Sequence, residues 1–219
     1  MIRKLMLAMC VLLGSSYAKA QVVVLTRFEV KKDHAKEFSE LLGKYVKGAV
    51  GNENNIMAEA YYEEGNPSVM WLIERWTSKR WLEKIRSGVG TLFEKGETIY
   101  VKDLEPLSKA AWRREPMKND TPITIMLFVD CKAGTEGRFK EVYHTAMPQF
   151  RSEPGVINYQ LSQLEEDSTR FVTYEKFRNE GAFQYHLNFP PIQPVINYLN
   201  SSIKQQPFQA GLHRLIRFQ

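Results

Sequence analysis

Tyr174-Glu175-Lys176-Phe177 closes a run rich in β-branched and aromatic residues, and 101 residues earlier Ile73-Glu74-Arg75-Trp76 closes another. The same shift lays Phe38 on Phe139 and Ile56 on Ile157, with no gap between the landmarks. A register held over separate segments marks an internal repeat, which decides how every later segment is read. The chain is one unit written twice.

Each copy carries the same order of signals. Val22–Val30 and Ile123–Cys131 are β-branched and apolar, so each opens its copy as a strand. Lys32-Asp33 and Gly134-Thr135 then supply turn and cap chemistry. Phe38, Leu41, Leu42, Tyr45, Val46 and Ala49 recur at helical spacing, as do Phe139, Val142, Ala146 and Phe150. Gly51-Asn52 and Pro154-Gly155 end those helices. Two strands follow in each copy, Ile56–Tyr62 with Val69–Trp76 and Val156–Gln163 with Arg170–Phe177, turned at Gly65-Asn66-Pro67 and Glu166-Asp167-Ser168. A second helix begins near Ser78 and near Asn179, and Thr98–Leu104 and Leu212–Phe218 read as closing strands.

Strand, helix, two strands, helix, strand is the βαββαβ, ferredoxin-like order. Such a unit covers one sheet face with helices and leaves the other face needing cover. Two tandem copies can cover each other, so the expected fold is α+β, with two antiparallel sheets packed into a pseudo-dimeric barrel. The expected organisation is a leader over 1–20, a first repeat over 21–107, a polar linker over 108–121 and a second repeat over 122–219.

The leader is expected from Arg3 and Lys4, the apolar run Leu5–Leu13, and Ala18-Lys19-Ala20 before Gln21. A basic start, a short apolar core and an A-x-A site form a cleavable signal peptide. The run is too short for a membrane helix, which needs about 20 residues. Met9 before Cys10 disfavours a lipoprotein site. The mature protein is therefore expected to be exported, periplasmic or secreted, without a membrane anchor. Three of the charges behind the formal +5 lie in this leader, and elsewhere Lys and Arg alternate with Asp and Glu. No basic face for nucleic acid is expected. Cys131 is the sole cysteine outside the leader, so no intrachain disulfide is expected. The core must carry stability, and twelve Phe, ten Tyr and four Trp provide material for it.

The second copy holds, in order, Phe139, Glu153-Pro154-Gly155-Val156, Tyr159, Tyr174-Glu175-Lys176-Phe177, Ala182-Phe183 and His186. This series resembles the antibiotic biosynthesis monooxygenase (ABM) family of the dimeric α+β barrel superfamily. The first copy matches through Phe38, Ile56, Tyr61 and Glu74-Arg75-Trp76. The resemblance implies a paired-sheet barrel with a pocket between each sheet and its helices. Some members of the family oxidise phenols or quinols with O₂ and no metal or flavin, and others degrade haem.

The expected catalytic residues are His186, as a base for a phenolic proton, and Glu175, to orient it or bind a substrate hydroxyl. Tyr159, Tyr174, Phe177, Phe183 and Tyr185 are the expected substrate-binding residues. The competing assignment makes His186 a packed histidine, Glu175 a structural carboxylate and the aromatics core. Ile85 stands at the position of His186 in the first copy, where Trp76 and Trp81 replace Phe177 and Ala182. A functional pocket is therefore expected in the second copy alone, with the first filled. His34, His144 and His213 lack metal-ligand spacing, so no metal and no cofactor is expected. Pro190-Pro191-Ile192 stands where a haem-degrading member would want a further histidine. The expected partners are a small aromatic molecule and O₂, and the expected assembly is a monomeric pseudo-dimer or a homodimer. A non-catalytic ligand-binding or stress-related barrel is the alternative.

Overall fold

The computed structural model describes residues 21–104 and 113–218. The expected leader and the first part of the expected linker lie outside the described residues.

The first half runs β1 (Val22–Glu29), α1 (Ala35–Val50), β2 (Asn55–Glu63), β3 (Asn66–Trp76), α2 (Lys79–Ser87) and β4 (Gly96–Asp103). The second runs β5 (Ile123–Asp130), α3 (Glu136–Ser152), β6 (Val156–Leu164), β7 (Arg170–Phe177), α4 (Glu180–Leu187), α5 (Gln193–Ser202) and β8 (Leu212–Arg217). Phe38 and Phe139 fall on α1 and α3, and Glu74 and Glu175 on β3 and β7, so the repeat holds element by element. The eight strands close into a barrel of order β1-β3-β2-β8-β5-β7-β6-β4, antiparallel at every described pairing. This order repeats after four strands, so the halves are related by an approximate half-turn about the barrel axis. Two seams join them: Tyr61–Glu63 pair with Leu215–Arg217, and Val101–Asp103 with Ser162–Leu164.

The two-residue period of the strands divides the interior into three cores. Leu25, Tyr61, Trp71, Ile73, Met126, Val172 and Tyr174 meet inside the barrel. Leu72, Trp76 and Phe28 face outward beneath α1 and α2. Phe171, Phe177 and Ile125 face outward beneath α3, α4 and α5. Both sheet faces are therefore largely buried along β1, β3, β5, β6 and β7, which is why these strands read as nearly continuous apolar runs.

Two features depart from the expected elements. α5 was not expected, since only one helix, from near Asn179, was read before the closing strand; Pro194 sits in the first turn of α5, where a missing N–H costs nothing. The end of the linker is also fastened: Arg113 bridges Asn158, and the Arg114 N–H donates to the Ile157 carbonyl at 2.7 Å.

Candidate functional site

Asn179 caps α4 by accepting the Ala182 N–H at 2.9 Å, and Ala182 then rests on Gly155. A Cβ at residue 155 would lie 2.4 Å from that of Ala182, so only glycine permits this approach. The docked helix carries His186 under the sheet, where it is 1% exposed. Its ring lies 4.9 Å from Phe150, 5.1 Å from Phe177 and 5.2 Å from Tyr159 between centroids. Nδ1 is 2.7 Å from Oε1 of Glu153, itself buried, and the other Glu153 oxygen has no hydrogen-bond partner among the described residues.

Glu175 lies in the same buried layer. It accepts from the Thr173 hydroxyl at 2.6 Å and is hydrogen-bonded to Tyr159. Burial raises its carboxyl above the ordinary value of 4.5, although His186, Thr173 and Tyr159 pull the other way. His186, Glu175, Tyr159 and Phe183 line one small cavity of about 60 Å³, together with Tyr143.

The other expected residues do not join them. Phe177 packs behind His186 in the core. Tyr174 alternates with Glu175 on β7 and so points into the barrel, against Tyr61 at 2.7 Å. Tyr185 is 56% exposed and stacks on Phe189, because neighbouring helical residues diverge by about 100°. The carboxylate hydrogen-bonded to His186 is Glu153 rather than Glu175. A signal for it exists: the equivalent positions of the first half, Asn52 and Ile85, lack both partners together.

The first half overturns the expectation of a filled pocket. Glu74 is fully buried and accepts from Tyr45 at 2.6 Å, Trp76 at 3.0 Å and Arg86 at 2.6 Å. Arg86 also donates to Thr26 and Thr98. Burial, then the charge of Glu74, pushes the Tyr45 hydroxyl far above its ordinary value, so it remains a proton donor. Tyr45 lines a groove of about 840 Å³ walled by Phe38, Leu41, Ile85, Val89 and Leu92, with Lys44, Glu94 and Lys95 among its other lining residues. Trp76 does pack into the core, but Trp81 is only half-buried, under Lys84. The larger reason is architectural. Ile192, Val195, Leu199 and Phe208, on and around α5, close the second-half cavity, and among the described residues the first half has no counterpart of α5.

Among the described residues no three His, Cys, Asp or Glu side chains gather as metal ligands, and no helix is long and apolar enough to cross a membrane. The sequence profile of antibiotic biosynthesis monooxygenases matches residues 21–87 and 122–196. An uncharacterised Synechocystis protein is 31% identical over 71 residues, which cover 32% of this chain and 48% of that protein. The matched region thus spans about half the length of that relative. A solved candidate monooxygenase of Fusobacterium nucleatum shares the fold with a TM-score of 0.78 at 13% identity, over 92% of this chain and 94% of that one. Another from Lactobacillus acidophilus has a TM-score of 0.74 at 14% identity, over 91% and 94%. The profile match in both halves, on the strands and helices that carry the two candidate sites, makes this chain a tandem member of the antibiotic biosynthesis monooxygenase family.

Proposed function

We propose that the protein is an exported monooxygenase that inserts one atom of O₂ into a small phenol or quinol without a cofactor, and that the ring binds in the first-half groove. The observation that carries the location is volume. The groove of about 840 Å³ lies within the range of sites that hold small molecules, roughly 300–1,000 Å³, whereas the cavity at His186 is about 60 Å³. A substrate hydroxyl donating to the Tyr45 oxygen can pass its proton through Tyr45 to Glu74, while Arg86 holds the carboxylate in place. The resulting electron-rich anion adds to O₂, giving two electrons to form a ring C–O bond, and two more from a breaking C–H bond then cleave O–O. One oxygen atom enters the ring and the other leaves as water with the two hydrogens that the substrate loses. Export is supported by the order of charge, apolar run and A-x-A in residues 1–20.

Oxygen uptake with a panel of hydroquinones tests the reaction. Leu41→Trp, which fills the groove, is expected to abolish it, and Tyr45→Phe to slow it by about 10²–10⁴-fold, the range for losing a positioned proton carrier. The His186–Glu153 pair favours a second location, in which the small cavity opens as substrate enters. Activity that survives Leu41→Trp and disappears in His186→Gln would move the site there, and no oxygen uptake with any quinol would sink the monooxygenase assignment.

A further inference from the structure

The half-turn symmetry of the barrel brings Arg75 of β3 and Lys176 of β7 to the same end of its interior, facing each other across the axis. Arg75 is paired with Asp103 of β4, whose other oxygen accepts from Ser162 at 2.6 Å. Lys176 donates to both oxygens of Glu59, at 2.7 and 2.8 Å, and Tyr61 and Tyr174 donate to the same carboxylate. Burial alone would raise the Glu59 carboxyl, but Lys176 and the two tyrosines hold it at about 2. Its charge is fully committed.

Above Glu59 and Lys176 lies a cavity of about 370 Å³ at the barrel mouth, closed over by the end of the linker, with Pro116 and Pro122 in its wall. The charges facing it do not cancel. Asp120 is spent on Arg178 at 2.5 Å, and Arg114 is tied to the carbonyls of Glu153 and Arg151 at 2.6 and 2.8 Å. Arg113 and Arg217 remain, faced by the exposed Glu115 and, for Arg217, by Glu59, which Lys176 already holds. Arg217 is ion-paired with Glu59 at 3.7 Å, but it shares that one carboxylate with Lys176, and Arg113 has no carboxylate within ion-pair distance among the described residues. Both guanidiniums line the same cavity as Lys176, whose ammonium is lowered by burial first, against the pull of Glu59. Met57, Ile157 and Tyr174 add apolar wall.

We propose that the barrel mouth is an anion site for a small organic carboxylate, with its charged end between Arg113 and Arg217 and its apolar body against Met57 and Ile157. Guanidiniums suit carboxylates because their paired N–H groups match the two oxygens. The site is separate from the groove of the first half and does not depend on oxygen chemistry there.

Benzoate is a suitable probe and benzamide its uncharged control, with binding read by calorimetry on the full-length mature protein. Benzoate is expected to bind saturably and benzamide not. Arg113→Ala and Arg217→Ala, both on exposed side chains that leave the fold alone, are each expected to weaken benzoate by about tenfold, the loss of one charge-assisted hydrogen bond. Leu41→Trp, which blocks the groove, is expected to leave it unchanged. Absence of saturable binding, equal binding of benzamide, indifference to both arginine variants, or loss in Leu41→Trp would each overturn the proposal.

Discussion

Glu74 and Glu175 occupy one position of the repeat and meet opposite electrostatic surroundings. Glu74 is matched by the Arg86 guanidinium at 2.6 Å, whereas Glu175 has hydroxyl partners and burial that raises its carboxyl. The consequence is a pH dependence with a definite sign. In the unfolded chain Glu175 ionises near its ordinary 4.5, and in the folded chain it keeps its proton to higher pH. The stability it contributes is therefore complete below that unfolded value and is lost as pH rises through the raised folded one. Glu175→Gln removes the ionisation while keeping the size of the side chain. Thermal melts across this range should show the variant gaining on the parent as pH rises. Parallel melting curves would mean that Glu175 does not titrate in this window. Such a contrast was only half legible in the sequence. The glutamates aligned at once, but Arg86 announces no partner in one dimension, and Glu153 only through the paired loss of both partners at Asn52 and Ile85. Both meet their partners only after a helix folds back on its sheet.

At the scale of elements, the alternation along β3 and β7 was readable because a strand sends neighbours to opposite faces whatever surrounds it. That rule puts Thr173, Glu175 and Phe177 on one face and Val172, Tyr174 and Lys176 on the other; the structure turns the first face beneath the helices and the second into the barrel, which separates Tyr174 from the site expected around Glu175. Helix placement was less readable. α5 was missed, and with it the reason that one half is sealed and the other open. The Pro154-Gly155 and Ala182 landmarks acquire a physical meaning in the structure, as the two small residues on which α4 docks. Asn54 and Trp81 stand at those positions in the first half, and side chains of that size cannot approach as closely. Gly155→Ala should force α4 away from β6 and cost about 1–3 kcal/mol, the usual range for overpacking a tight contact. Denaturant unfolding would measure it, and an unchanged midpoint would show that α4 relaxes without loss.

At the scale of the whole molecule, the barrel exists because each half supplies what the other lacks. The inner sheet face of the first half, with Leu25, Trp71 and Ile73, packs on Met126, Val172 and Leu215 from the second. Each seam is short, three residue pairs long, so backbone pairing alone is a weak bond between the halves. Burial does most of the joining, and each fully covered large apolar side chain adds about 1.5–3 kcal/mol. Polar groups cross as well: Glu59 of the first half is satisfied by Lys176 and Tyr174 of the second, and Ser162 of the second donates to Asp103 of the first. An isolated first half would expose that apolar face, open strand edges and leave Glu59 without its cation. Residues 21–107 and 122–219, expressed separately, should therefore be unfolded or self-associated. Mixed in equal amounts, they should form a one-to-one complex with the circular dichroism of the intact chain. Light scattering after gel filtration reads both states. Halves that remain folded and monomeric alone, and do not combine, would refute the claim that the shared interior holds the barrel closed.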